Sequence, residues 1–158
     1  MDQFSHLDEA GKIKMVDVSA KQITNRTATA QSIVSLPDEV VAQFTNGDIQ
    51  TKKGSVFQTA IIAGIMASKK TGELIPLCHP IGLNNCSINI EFVGERELWI
   101  TCTTNVDAKT GVEMEALVGA SITALTIYDM CKALSHDIVI KETKLIEKTG
   151  GKSDYNNK

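Results

Sequence analysis

In the stretch TIYDMCKAL, residues 126–134, an acid and an amine interrupt an otherwise apolar run. Asp129 and Lys132 stand three residues apart, so on a helix their side chains share one face and can touch. On an exposed helix such a pair contributes only about 0.2–0.5 kcal/mol. Within an apolar helix that explanation is poor, because burying charge costs several kcal/mol per ion. Desolvation disfavours both charged forms, moving a carboxyl and an ammonium toward the neutral range where proton transfer is efficient. The pair therefore reads as an acid–base couple.

Other residues could extend this chemistry. Glu113 stands three residues after Thr110, the spacing of a capping box, and that duty accounts for it. Glu115, beside Met114, has no such duty. It lies 14 residues before Asp129, which on a helix is about 21 Å. One small substrate cannot touch both on a single helix, so either the ligand is long or the two ends serve different pockets formed with a neighbouring subunit. His79 sits between Pro76 and Pro80, which fix their own φ and disfavour helix before them, so the ring is held as a donor or base. Its neighbour Cys78 reads as a packing residue. Lys53 precedes Gly54 and Lys148 precedes TGGK, where glycines let a phosphate approach the main chain. The GGKS run is not a Walker motif, because Ile146 occupies the position that requires glycine.

Composition narrows the partners. The chain has 158 residues, enough for one domain with a single core, and its first and last segments, 1–12 and 154–158, read as flexible ends. Net charge is −3 and aromatic residues are 4% of the chain, which argues against broad nucleic-acid or membrane-surface binding. The cysteines at 78, 86, 102 and 131 lack CxxC pairing, so neither a disulfide framework nor a zinc ribbon is expected. No signal sequence and no membrane-spanning segment is recognised, and a cytoplasmic location is expected.

The elements that must position these groups follow from patterning. Residues 13–18 and the ITNRTATAQSIV run after them read as extended. SLPDEVVAQFTNGD predicts a short helix with Ser35 as N-cap and Gly47 past its end. A second helix is predicted from Ser55 to Lys70, ended by Gly72, with Ala60, Gly64 and Ser68 in a small-residue row. Residues 85–106 alternate as a β-hairpin that turns at GERE and buries one face. The longest helix opens at TGVE and runs to about Leu134. It carries no charge from Ala116 to Tyr128, so it must be enclosed on all sides, between subunits as well as within one. Its row Ala116, Ala120 and Ala124 is a mate for the earlier row. DIVIKETKLIEK reads as a final strand.

With MVDVSAK, IPLCHP, KTGVEMEAL, ALTIYDMCKA and EKTGGKS in this order, the chain resembles the MoaC family of molybdenum cofactor biosynthesis. The resemblance implies an α+β fold with a ferredoxin-like antiparallel sheet covered by helices. It also implies a homohexamer, a trimer of dimers, with active sites at subunit interfaces. The implied substrate is a small molecule derived from GTP, a cyclised dihydro-GTP, which a lyase rearranges into cyclic pyranopterin monophosphate with expulsion of pyrophosphate. By the same resemblance Asp129, Lys132 and Lys53 are catalytic. Leu77, Cys78, His79, Met114, Glu115, Arg26 and Lys148 contact substrate, and neither cofactor nor metal is required. Ile61 departs from the arginine usual before IAG. The alternative is a nucleotide-binding regulatory subunit that keeps the pocket without turnover.

Overall fold

The hairpin is the clearest case of pattern becoming structure. In the computed structural model, which describes residues 4–157, β5 and β6 pair antiparallel with Ile88 opposite Cys102, Ile90 opposite Ile100 and Phe92 opposite Leu98. All of these share the face that the alternation assigns to the core. In chain order the elements are β1 (Thr24–Ser35), α1 (Asp38–Val41), β2 (Phe44–Thr45), β3 (Asp48–Thr51), β4 (Gly54–Ser55), α2 (Val56–Lys69), α3 (Thr71–Leu74), β5 (Asn85–Val93), β6 (Glu97–Ala108), α4 (Glu113–Cys131), β7 (Val139–Thr149) and β8 (Tyr155–Asn156). The main sheet has the order β5-β6-β1-β7-β8, with every pairing antiparallel. The fold is thus a mixed α and β structure, two helices laid on one face of an antiparallel sheet.

Two clusters form the core on that face. Val34, Leu98, Ile100, Ala124 and Ile127 anchor one, and Ala28, Ala30, Cys102, Val106, Ala116 and Ala120 anchor the other. The opposite face is mostly polar, with Thr29 and Thr103 hydroxyls 3.0 Å apart across β1 and β6, and carries the apolar pair Ile33 and Trp99 at one end. By length and composition α4 could cross a bilayer, contrary to the expectation that no segment would, but most of it is buried against α2 and the sheet, as a core helix is.

Helix α2 runs antiparallel to α4, and Ala60, Gly64 and Ser68 face inward as the small-residue spacing predicts. The mating row on α4 is not the alanine row. A Cβ on Gly64 would lie 2.0 Å from the Thr123 hydroxyl and 2.8 Å from the Gly119 carbonyl, while the Ser68 hydroxyl donates to the Glu115 carbonyl at 2.8 Å. Glu115, Gly119 and Thr123 therefore meet α2, and Ala116 and Ala120 pack on the sheet one step round the helix.

Several local expectations fail for physical reasons. Residues 13–18 form no strand; Ile13 makes one isolated bridge to Leu7. Ser35 ends β1, and only one turn of helix follows, with Pro37 at its N-cap. Gly47 does not end that helix. Asn46 and Gly47, at φ 51° and 78°, make the two-residue turn between β2 and β3, the Asn-Gly signal of a hairpin. Gly72 lies inside α3 rather than ending α2. The enclosure expected around α4 is incomplete within one chain, since Leu125 of α4 and Ile62 and Met66 of α2 remain exposed. The expectation of flexible ends also covers residues 1–3 and 158, which lie outside the described residues.

Because the α2–α4 contact is this close, Gly64→Ala should lower stability by about 1–3 kcal/mol through overpacking. Gly82→Ala, whose new methyl meets nothing within 4 Å, changes it by less than about 1 kcal/mol. Urea denaturation midpoints of the two variants check this, and equal midpoints would contradict it.

Candidate active site

The antiparallel pairing of α2 and α4 decides which loops meet which helix end. The turn before α2 arrives at the C-terminal end of α4, and the loop after α3 arrives at its N-terminal end. At the first of these ends, Asp129 lies between two ammonium groups. Its Oδ1 is 2.9 Å from Lys132 Nζ and its Oδ2 is 3.5 Å from Lys53 Nζ. Lys53 comes from the tip between β3 and β4, while Lys132 is the C-cap of α4. Beside them opens a cavity of about 590 Å³ lined by Gln50, Lys52, Lys53, Met130, Ala133 and Leu134.

The expected burial of the pair is not found in the single chain. The Asp129 and Lys53 side chains are each 55% exposed and Lys132 is 49% exposed. Charge pairing prevails over desolvation as a result. The hydrogen bond and charge of Lys132, then the charge of Lys53, hold the Asp129 carboxyl below its ordinary range, and Asp129 in return raises the Lys132 ammonium. The two groups move apart in pKa rather than together. The apolar helix leads its acid and amine out to its last turn, where solvent reaches them.

At the other end, Leu77, Cys78, His79, Met114 and Glu115 line a common cavity of about 300 Å³. His79 Nε2 lies 2.7 Å from the Val16 carbonyl, so the double-proline loop holds the N-terminal segment that carries Val16 and Val18 against the pocket. Glu115 is only 3% exposed, and its Oε2 has no hydrogen-bond partner among the described residues. Burial, opposed by a hydrogen bond with its own backbone and aided by the Glu113 charge, pushes its carboxyl up to about 7. Burial next to this acid also raises the Cys78 thiol, which fits packing better than nucleophilic attack.

A second cavity of about 240 Å³ adjoins the first, sharing Lys21, Thr110, Gly111 and Glu113, and it collects Arg26, Lys148 and Lys152. Arg26 donates from Nε and Nη2 to the Ala108 and Lys109 carbonyls, leaving Nη1 toward the Gly151 turn. Gly150 has φ +86°, and a Cβ there would lie 1.9 Å from the Asn25 carbonyl oxygen, so only glycine lets the TGGKS turn close on β1. Glu113 does not act as a capping-box acid. The N-cap of α4 is Val112 without a side-chain cap, and Glu113 instead pairs with Lys148 at 3.1 Å. Lys21 lines both cavities although nothing in its local spacing marked it; only its place in the MVDVSAK block singled out that region.

The sequence profile of the MoaC family matches residues 15–151. The chain belongs to the MoaC family. Of the site candidates named above, all but Lys152 fall inside the matched span. Among similar proteins, a cyclic pyranopterin monophosphate synthase of Xanthomonas campestris pv. campestris is 53% identical over 152 residues, covering 96% of this chain and 92% of its own. One of that name from Lysinibacillus sphaericus is 52% identical over 156 residues, 97% of this chain and 96% of its own. A molybdenum cofactor biosynthesis bifunctional protein of Synechocystis is 53% identical over 155 residues, 96% of this chain and 45% of its own. Within this MoaC-family chain the residues gather at two separate ends of α4, and Ile61, the departure noted above, lies half-buried on α2.

The buried acid has a measurable signature. With a folded pKa of about 7 against 4.5 in the unfolded chain, Glu115 holds its proton longer when folded. The contribution of Glu115 to stability is therefore fully present below pH 4.5, is lost as pH rises from 4.5 to about 7 and is level beyond. Glu115→Gln lacks this loss, so its stability relative to wild type should improve by about 3 kcal/mol across that window. Urea unfolding at a series of pH values tests this, and a difference independent of pH would contradict it.

Proposed function

We propose that this chain is a cyclic pyranopterin monophosphate synthase of molybdenum cofactor biosynthesis. It converts the cyclised dihydro-GTP into cyclic pyranopterin monophosphate and releases pyrophosphate. The observation that carries this reading is the triad at the end of α4: Asp129 held between Lys132 and Lys53 at 2.9 and 3.5 Å, in a chain 53% identical to relatives of that name. A regulatory subunit that merely held a nucleotide would have no use for such a triad.

The proposed reaction is that of a lyase using metal-independent acid–base chemistry. Asp129 and Lys132 pass protons as the imidazole-derived ring opens and the pyrazine ring closes, and Lys53 carries a further proton near the sugar. A ribose-derived hydroxyl then attacks the innermost phosphorus and pyrophosphate leaves. Arg26 and Lys148, with Lys21 beside them, neutralise charge on the leaving group. Glu115 offers an open carboxyl oxygen to the donor edge of the base, and Leu77, Cys78, Met114 and His79 enclose it. Glu113 occupies Lys148 until phosphate replaces it.

One copy is insufficient for this chemistry. Glu115 and Asp129 are separated by about 21 Å along α4, beyond the reach of the substrate. We therefore assign the two ends to two different sites, each completed by another copy in a homo-oligomer, a hexamer arranged as a trimer of dimers. The uncovered apolar side chains of α2 and α4 support this assembly. A partner at the triad also supplies the desolvation that the single chain lacks. The fold is read as one ferredoxin-like domain, supported by the succession β1, α2, β5, β6, α4, β7 and the order β5-β6-β1-β7. A small-molecule pathway of this kind suits the cytoplasm.

Purified protein given cyclised dihydro-GTP should yield pyrophosphate and the pterin by mass spectrometry, and Lys132→Ala should lower turnover by about 100-fold or more. Unchanged turnover in that variant, or binding without product in wild type, would overturn the assignment. Inactive Asp129→Ala and Glu115→Ala chains, co-expressed, should recover about a quarter of wild-type activity if two copies share each site in an isologous pair. No recovery would place both groups in one chain's site.

A further inference from the structure

We propose that Asp48, outside the catalytic set, is a positioning residue that aims Lys53 at Asp129. The proposal rests on reading Lys53, Asp129 and Lys132 as the acid–base group.

Lys53 rides on a poor support. The β3–β4 hairpin has only two ladder pairs, Gln50 with Ser55 and Thr51 with Gly54, and the β2–β3 ladder beside it adds only two more, so strand pairing alone holds this small sheet weakly. Within its tip the Thr51 hydroxyl donates to the Gly54 carbonyl at 3.2 Å and accepts from the Lys53 N–H at 3.1 Å. These bonds shape the tip without tying it to anything else. The tie lies at the root of the hairpin, in the carboxylate of Asp48.

Three donors converge on that carboxylate. Its Oδ1 accepts from the Ile49 N–H at 2.6 Å and the Phe57 N–H at 2.9 Å, and its Oδ2 accepts from the Ser55 hydroxyl. Ser55 is the N-cap of α2, and its hydroxyl oxygen accepts from the Gln58 N–H at 3.2 Å. One side chain thus fastens the incoming strand, the outgoing strand and the first turn of α2, where the helix dipole favours its charge. From there α2 packs on α4 through Gly64 and Ser68, and α4 bears Asp129 and Lys132. Asp48 also stands near the last turn of α4: the buried Cys131 thiol is raised to about 11, first by burial and then by the Asp48 charge.

The bonds need acceptor geometry more than charge. An asparagine at 48 keeps an oxygen for the Ile49 and Phe57 amides, and its amide donates to the Ser55 hydroxyl, which accepts that bond beside the one from Gln58. An alanine keeps none of these. The spacing between Lys53 and Asp129 is 3.5 Å, so a shift of about an ångström in the tip removes the amine from reach, and displacements of that size cost up to about 100-fold in rate.

The test is a cycle of Asp48→Ala and Lys53→Ala, with Asp48→Asn as the conservative rescue, each variant first shown to be folded by its urea midpoint. With cyclised dihydro-GTP, Asp48→Ala should lower kcat by roughly 10- to 100-fold with KM within about twofold of wild type. It should add less than about twofold in the Lys53→Ala background, and Asp48→Asn should keep most of the activity. An equal loss in both backgrounds, or an unchanged kcat, overturns the proposal. A second readout does not use turnover. In chains whose lysines carry 13C-methyl groups, the NMR chemical shift of the Lys53 methyls, assigned by its absence in Lys53→Arg, should respond to Asp129→Asn because the two groups lie 3.5 Å apart, and that response should vanish in the Asp48→Ala background. Its persistence overturns the positioning role. Wild type without turnover, or full turnover in Lys53→Ala, would instead defeat the catalytic reading while the NMR result still judged Asp48.

Discussion

The meeting of loops and helix ends at both termini of α4 is arranged by the approach of two helices at glycine distance. Gly64 and Gly119 leave no room for a methyl between them, and Ser68 spends its hydroxyl on the Glu115 carbonyl. The helices therefore have one translational setting rather than a range. Because they run antiparallel, that setting brings Lys53, just before α2, to Asp129 near the end of α4. It also brings the Leu77–His79 loop, a few residues after α2, to Met114 and Glu115 near its start. A chain with larger residues in these rows would still bury an apolar helix, but its functional groups would not coincide.

The two ends differ in electrostatic character. Around Asp129 the charges are compensated and open to water, so Asp129 and Lys132 hold each other in their ionised forms. Around Glu115 the carboxyl is buried, has no hydrogen-bond partner at one oxygen among the described residues and is driven toward its neutral form. The same helix therefore presents a salt-bridged acid at one end and a proton-holding acid at the other. The basic groups of the adjoining cavity are only partly compensated, with Lys148 taken by Glu113 and Arg26 bound by two edges to backbone carbonyls.

How much was legible depended on whether a signal was local. The β5–β6 hairpin followed from alternation, α2 was legible between Ser55 and Lys70 with its small-residue row, and β7 in the DIVIKETKLIEK run. Asp129 and Lys132 were legible as a touching pair from their spacing alone. Lys53 was not: nothing local ties it to a residue 76 positions later, and only the family resemblance joined them. Glu113 shows the reverse failure, since its spacing from Thr110 imitates a capping box while its partner is Lys148 on another element. Asn46-Gly47 was misread because a glycine after an amphipathic stretch fits a helix end as well as a hairpin turn. The burial of the acid–amine pair was overestimated because an apolar helix gives no sign of where along its length solvent begins.

Glu115 ties the pocket to the protons of the surrounding solution. Any ligand that offers hydrogen-bond donors to its open oxygen favours carboxylate over carboxyl, and so lowers the pKa that burial raises to about 7. Near neutrality, occupancy of the pocket then expels a fraction of a proton into the medium. The heat recorded on titrating such a ligand carries the ionisation enthalpy of whatever buffer captures that proton, so calorimetry in phosphate and in Tris reports two different enthalpies for one and the same association.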